Sequence, residues 1–449
     1  MMLIHAGMAL LPEGWARDVA VELRDGRIHR ITPDAATAGE RVEVLLPAPV
    51  NLHSHVFQRA MAGLTEFRGA GQDSFWTWRS LMYRFLDRLT PEDVGAIAAQ
   101  VMVESAEAGF AGLAEFHYLH HAPGGMAYED PAEMAGRVVL AAQETGLGLT
   151  LLPVMYQRGG CDGRALAGGQ LRFGNSTDRF ARLWLAAAAH LAGLAPDARI
   201  GVAPHSLRAV DEAGLKAALQ IAPEGPIHIH VAEQLAEVAE VQAHLGARPV
   251  EWLMHRMPVD PRWCLIHATQ MAPHETLDLA VSGAVAGLCP ITEANLGDGV
   301  FDAPRYLASS GAFGVGSDSN VLISLREELR TLEYSQRLAR RGRAVLATDG
   351  RSTGRVLWEG AAQGGARAAG RASGAIAEGL WGDLVALSLS DVPGRTGDAV
   401  LDTLLFTNAG RVDGLWSAGR HIVRDGRHIA REPVAARFRA VMARLGAAL

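Results

Sequence analysis

His53 and His55 stand two residues apart in the stretch Pro47-Ala-Pro-Val-Asn-Leu-His-Ser-His-Val56, just after the apolar run Val44-Leu45-Leu46. On an extended strand, side chains two apart point to the same face, so the two imidazoles converge on one point. Two borderline-soft nitrogen donors in fixed relation are what a metal ion needs from a strand end. Taken alone, the pair reads more readily as two polar loop histidines. Its weight comes from later stretches.

Ile227-His-Ile-His-Val-Ala-Glu233 carries two histidines on one face, with an acid three residues beyond the second. His230 lies nearer the end of that strand and is the expected ligand; His228 is expected one layer deeper, hydrogen-bonded in the core. Leu265-Ile-His267 closes another apolar run, and Gly314-Val-Gly-Ser-Asp318-Ser-Asn320 a further one. Three imidazoles and Asp318 make a catalytic metal set that leaves room for water. Glu233 and His267 remain beside that water as acid and base. Each residue has a plainer reading. Asp318 would cap a helix, as would Ser317 and Ser319, and His267 would be a satisfied core histidine. Their joint position at strand ends is what favours chemistry.

The elements that must hold them alternate. Eight short apolar runs (Val44–Pro49, Ala111–Phe116, Leu149–Met155, Ile200–Pro204, Ile227–Val231, Trp263–His267, Ala284–Cys289 and Phe313–Gly316) are separated by helical patterns such as Pro91–Ala108, Asp178–Ala192, Ala232–Leu245 and Leu325–Arg340. Eight β-then-α units predict an α/β fold, a (β/α)8 TIM-type barrel, with its chemistry at the C-terminal strand ends. Both termini read as β: Asp18-Val-Ala-Val-Glu-Leu, Arg27-Ile-His-Arg-Ile, Asp383-Leu-Val-Ala-Leu, and strands around a second Asp-Gly turn at Asp425-Gly426. The expected organisation is a small β-sandwich from residues 1–46 and 376–449, ending in a helix, around a barrel over 47–375.

The 449 residues carry a net charge of −7, which argues against nucleic acid or an anionic membrane as partner. An anionic substrate must therefore be met by local arginines. The three cysteines, Cys161, Cys264 and Cys289, form no disulfide framework and fit a reducing compartment. No signal sequence or membrane span is read from the chain, so the cytoplasm is the expected location.

The His53/His55, His230, Glu233, His267, Asp318 set resembles the mononuclear deaminase branch of the amidohydrolase superfamily, whose mark is His-x-x-Glu on strand 5. Strand 4 ends Ala203-Pro-His205, without the lysine that bridges two metals in the binuclear branch. The likeness narrows at Asn51-Leu-His-Ser-His-Val-Phe-Gln-Arg-Ala-Met-Ala-Gly-Leu-Thr65, Phe75-Trp-Thr-Trp-Arg-Ser-Leu-Met-Tyr83 and Glu115-Phe-His-Tyr-Leu-His-His121. Ala203-Pro-His-Ser-Leu-Arg208, Cys289-Pro-Ile-Thr-Glu-Ala-Asn-Leu-Gly-Asp298, Gly316-Ser-Asp-Ser-Asn320 and Glu327-Glu-Leu-Arg-Thr-Leu-Glu-Tyr-Ser-Gln-Arg337 continue it. These stretches resemble the formimidoylglutamate deiminases of bacterial histidine breakdown. Two positions depart: Ala48 stands where the superfamily has Gly, and Asn320 where a His is expected.

The resemblance implies one divalent ion, Zn2+, held by His53, His55, His230 and Asp318, with Glu233, His267 and Asp318 catalytic. It implies a homodimer, and a small-molecule substrate with two carboxylates and an amidine, N-formimino-L-glutamate. Carboxylates are best held by the planar fork of arginine. Arg79 and Arg208 are the expected anchors, with His205, Tyr118 and Gln58 as further polar contacts. Read without the family, Arg79 is more readily a residue in a helix-surface salt bridge. The Phe75-Trp76-Thr77-Trp78 cluster is a lid, a packing surface or a dimer surface. His117, His120 and His121 are read as supporting or surface residues. A different substrate for the same site, a nucleobase-like amino-heterocycle, is the alternative reading, and it has little use for two arginines.

Overall fold

The computed structural model describes residues 1–64, 66, 82–83 and 85–446. The segment proposed as a lid, and Arg79 within it, lie outside the described residues. The strands run β1 Met2–Leu11, β2 Gly14–Arg24, β3 Arg27–Thr32, β4 Glu40–Pro47, β5 Val50–Ser54, β6 Gly112–His117, β7 Gly148–Met155, β8 Arg199–Ile200 and β9 Ala203–Pro204. They continue with β10 Ile227–Val231, β11 Trp263–His267, β12 Val285–Leu288, β13 Ala312–Val315, β14 Leu384–Ser388, β15 Arg411–Ser417, β16 Arg420–Arg424 and β17 Arg427–His428.

β5 to β13 form the barrel. Parallel ladders join β5, β6, β7 and β8, with β9 also on β7, and a second set joins β10 to β13. Parallel bridges Val202↔Ile227 and Ser54↔Asp318 close the two gaps. Counting β8 and β9 as one interrupted strand, the expected eight are present. Each strand is buried or nearly so, as a parallel sheet under helices requires. Among the helices, Pro91–Ala108 starts at a capping box of Thr90 and Asp93. The helix expected from Ala232 starts instead at Leu235. Ala232 has φ 51°, and Glu237 accepts from the N–H groups of Ala232 and Glu233 at 3.2 and 2.9 Å. That carboxylate holds the turn open at Glu233.

The first barrel strand is not where the apolar run suggested. Val44–Pro47 belongs to β4, which pairs with β1 and β14 in the terminal sheet, and the barrel strand begins at Val50. Pro47 and Pro49 lack a ladder N–H, and between them Ala48 donates to Asp383 O at 3.0 Å. One continuous apolar run thus serves two sheets.

The terminal sheet is mixed and ordered β17-β16-β15-β14-β4-β1-β2-β3, so both chain ends build it. It curls on itself. Ile28 N–H donates to Leu380 O and Gly379 N–H to Ile28 O, each at 2.8 Å. Ile4, Val19, Val21, Ile28, Leu384 and Trp416 form its own core. The chain ends in the helix Arg431–Gly446. No described helix is long and apolar enough to cross a membrane.

A buried ionic cluster ties sheet to barrel. Arg371 grips Asp383 through Nε and Nη2 at 2.6 and 2.9 Å and reaches Asp197 at 2.8 Å. Arg420 of β16 binds both Asp197 oxygens at 2.8 and 2.7 Å. Burial works to raise the Asp197 carboxyl, but Arg420 and Arg371 outweigh it and hold it at about 2. A carboxylate so depressed stabilises the fold above its unfolded value near about 4, and that contribution is lost as pH falls towards 2. Arg371→Ala leaves Asp383 buried without its charge partner. We expect a loss of about 3–5 kcal/mol, read as a lower urea midpoint. An unchanged midpoint would show that the cluster is dispensable.

Candidate metal centre and substrate pocket

Strand ends β5 and β13 lock together first. Asp318 N–H donates to His53 O, and His55 N–H to Asp318 O, both at 2.9 Å. A Cβ at residue 316 would lie 2.6 Å from His53 N, so only glycine allows this approach. Asn51 exchanges hydrogen bonds with Ser317, at 2.7 Å to Oγ and 2.9 Å from its N–H. Asn320, the departure from the family pattern, takes up φ 56°. Its Nδ2, with two hydrogens, lies 3.0–3.1 Å from three acceptors, Ser54 Oγ, His55 O and Asp318 O. Asn tolerates the left-handed region better than most residues, and here its amide cross-links the two ligand-bearing strands.

One donor atom each from His53, His55, His230 and Asp318 lie within 4.8 Å of one another, and all four residues are buried. Asp318 Oδ1 is 3.5 Å from His53 Nε2 and 3.2 Å from His55 Nε2. His230 Nε2 is 3.1 Å from His53 Nε2. The tautomers make these contacts informative. His55 Nδ1 faces Phe116 O at 3.0 Å and His230 Nδ1 faces His205 O at 3.1 Å. A carbonyl only accepts, so each Nδ1 carries the hydrogen and each Nε2 presents a bare lone pair to the centre. Burial pushes His53 down to about 3 despite its hydrogen bond to Asp318, and burial with the charge of His53 pushes His230 well down. Lone pairs of His55 and His230 thus converge with a carboxylate oxygen, and His53, whose Nδ1 has no hydrogen-bond partner among the described residues, completes the set. A divalent cation fits. Tetrahedral Zn2+ with bonds of about 2.0–2.1 Å needs donors roughly 3.3 Å apart. Asp318 caps no helix.

His267 lies beside this centre at φ 68°, a strained value for a non-glycine residue at a strand end. Its Nδ1 meets Glu293 Oε1 at 3.3 Å, and its Nε2 is 3.8 Å from Glu233 Oε1 and 3.9 Å from Asp318 Oδ2. Burial opposes a charge on His267, but Glu233, Glu293 and Asp318 outweigh it and raise the imidazole to about 10. Burial likewise raises Glu233, against the pull of His267 and Arg208. His228 sits below, bonded to Ala368 O at 2.8 Å.

The metal centre floors a pocket of about 600 Å3, mouth included, lined by His55, Gln58, Met82, Tyr83, Tyr118, Tyr156, Phe173, His205, Arg208, His230, Glu233, His267, Thr292, Leu296, Asp318 and Ser319. Four of the five expected substrate contacts are therefore on one cavity wall; the fifth, Arg79, is outside the described residues. Arg208 is 4.0 Å from Glu233 Oε2, and its Nε has no hydrogen-bond partner among the described residues. Gln58 Nε2 donates to Tyr118 Oη at 2.7 Å, while Gln58 Oε1 has no partner among them. His117, His120 and His121 are all buried, so the surface reading of them fails. His120 and His121 are spent on Val154 O and Gly174 O, at 2.9 and 3.0 Å. Sequence reasoning missed Glu293, Tyr156 and Met82. Tyr156 follows a barrel strand directly, a position that could have exposed it.

Comparison with known proteins agrees with this geometry. The Amidohydrolase family matches residues 44–422, and the family described as Formimidoylglutamate deiminase HutF, N-terminal domain, matches residues 1–43. The chain is 47% identical to a formimidoylglutamate deiminase of Pseudomonas aeruginosa, over 99% of this chain and 100% of that protein. It is 27% identical to a 5-methylthioadenosine/S-adenosylhomocysteine deaminase of Natronomonas pharaonis, over 88% of this chain and 85% of that one. The crystal structure of an amidohydrolase from Brucella melitensis superposes with a TM-score of 0.97 at 47% identity, covering 99% of this chain and 100% of that chain. An adenosine deaminase from Xanthomonas campestris with bound zinc shares the fold at TM-score 0.82 and 22% identity, covering 99% and 98% of the two chains.

Proposed function

The chain belongs to the amidohydrolase family, in its formimidoylglutamate deiminase branch, and from that premise we propose that it hydrolyses N-formimino-L-glutamate to N-formyl-L-glutamate and ammonia. The observation that carries the reading is a metal-ligand set of three histidines and an aspartate and an arginine, Arg208, brought to one cavity. The C–N bond to the terminal nitrogen breaks, and the oxygen of water ends in the formyl group.

We assign the ion to His53, His55, His230 and Asp318, and take it to be zinc, which suits three nitrogens and a carboxylate. When bound it polarises water and lowers its pKa towards neutrality. Every other task falls to side chains. Asp318 Oδ2 and His267 Nε2 face the same space and orient the attacking water. Glu233 Oε1, across from His267 Nε2, takes a proton and delivers it to the departing nitrogen. Arg208 holds a substrate carboxylate, beside His205. Gln58 Oε1 and the Tyr118 hydroxyl orient the other end, with Arg79 as second anchor. A homodimer and a cytoplasmic location stand as proposals from the same resemblance; sedimentation reads the first.

The deciding experiment incubates the zinc-loaded protein with N-formimino-L-glutamate and measures ammonia and N-formylglutamate together. Equal release of both is expected. No release from folded, metal-replete protein would sink the substrate assignment and leave the amino-heterocycle alternative to be screened. In the same assay Arg208→Ala should lower kcat/KM by roughly 10–10² fold, as loss of a charge-assisted hydrogen-bonded pair implies. Unchanged kinetics would remove Arg208 from carboxylate binding.

A further inference from the structure

Cys289 has no part in the reaction above, yet it lies against its centre. One donor atom each from His267, Cys289 and Asp318 lie within 4.8 Å of one another, and all three residues are buried. Asp318 is placed to serve two positions. Its Oδ1 faces His53 and His55 at 3.5 and 3.2 Å, and its Oδ2 faces His267 Nε2 at 3.9 Å. Behind them the surroundings are strongly acidic. Burial, with the carboxyl groups of Asp318, Glu293 and Glu328 around it, pushes the Cys289 thiol well up. Glu328 is fully buried, accepts from Ile291 N–H at 3.0 Å through Oε2, and has no partner for Oε1 among the described residues. A sulfur, an imidazole and a carboxylate are the donors of a soft-to-borderline cation.

We propose that His267, Cys289 and Asp318 form a second, inhibitory site for a thiophilic divalent cation, reached through the substrate pocket that His267 and Asp318 line. The ion displaces two protons, that of the Cys289 thiol and that on His267 Nε2, and both leave to water; no electron moves. Its effect follows from the donors it takes. His267 Nε2 and Asp318 Oδ2 are withdrawn from the water and from Glu233, so turnover stops while the first ion stays in place. Excess zinc or cadmium therefore inhibits an enzyme that needs one ion to work.

The test adds Cd2+ to protein already holding one zinc per chain, a loading checked beforehand by metal analysis. Less than one zinc at that stage would count against the first centre and not against this site. We expect one further ion per chain, no zinc released, an ultraviolet thiolate-to-cadmium band rising in step with it, and turnover lost in parallel by at least tenfold. Cys289→Ala should show neither the band nor that loss at the same cadmium level. In case that substitution unsettles the fold, the complementary variant C161A/C264A leaves Cys289 as the one thiol and should retain band and inhibition. Cadmium uptake without the band, displacement of zinc in place of a second ion, or a band that disappears in C161A/C264A would each overturn the proposal.

Discussion

Glu233→Gln should keep its zinc and its fold and lose turnover by at least about 10²-fold, the scale of a positioned general acid–base. Glutamine matches glutamate in size, and the turn that carries residue 233 is held by other groups. Glu237 accepts from its N–H at 2.9 Å, and Thr269 Oγ1 donates to its carbonyl at 2.7 Å. The side chain contributes no donor to the metal set. What the substitution removes is a proton acceptor between two cationic groups. Glu233 Oε1 stands 3.8 Å from His267 Nε2 and Oε2 stands 4.0 Å from Arg208. Both separations are too long for hydrogen bonds and leave the carboxylate available to a substrate lying between them. KM should change little, since carboxylate anchoring rests on Arg208. Near-normal turnover at full zinc content would remove Glu233 from proton transfer.

How legible this site was in the sequence depends on which physical rule each residue obeys. His53 and His55 follow the two-residue period of a strand, and their imidazoles do meet Asp318 together. His230 was separable from His228 by depth along β10, and the structure puts one at the centre and the other on Ala368 O. The terminal sheet was legible from its Asp-Gly turns. The first barrel strand was not, because Val44–Pro49 is apolar throughout and periodicity cannot say which sheet a buried strand joins. Only tertiary pairing of β4 with β1 and β14 decides it. Glu293 was invisible for a related reason. It bonds His267 across 26 positions of sequence, and no spacing rule predicts a contact between a strand end and the next unit's helix. Asn320 departs from the family pattern, yet its Nδ2 lies within hydrogen-bond distance of His55 O, Asp318 O and Ser54 Oγ and so joins the two strand ends. Its role lies in a left-handed backbone angle, which one-letter code does not display.

Stripping the ion should cost more than any single substitution. With a chelator, turnover should fall by several orders of magnitude, because no remaining group can bring water near neutral acidity. The same treatment should lower Tm. His53 Nε2 and His230 Nε2 stand 3.1 Å apart and Asp318 Oδ1 is 3.2 Å from His55 Nε2. An ion that binds only the folded chain stabilises it by mass action, about 2.7 kcal/mol at a hundred times its Kd. Returning zinc should restore turnover and Tm together. His230→Ala removes one donor while its carbonyl partner at His205 stays in place, so that variant should need far more zinc for either recovery. The paired readout matters. Recovery of Tm without turnover would locate the ion away from Glu233 and His267. Full turnover in metal-free protein would mean that these four side chains hold no catalytic ion, and that their converging lone pairs are separated by protons instead.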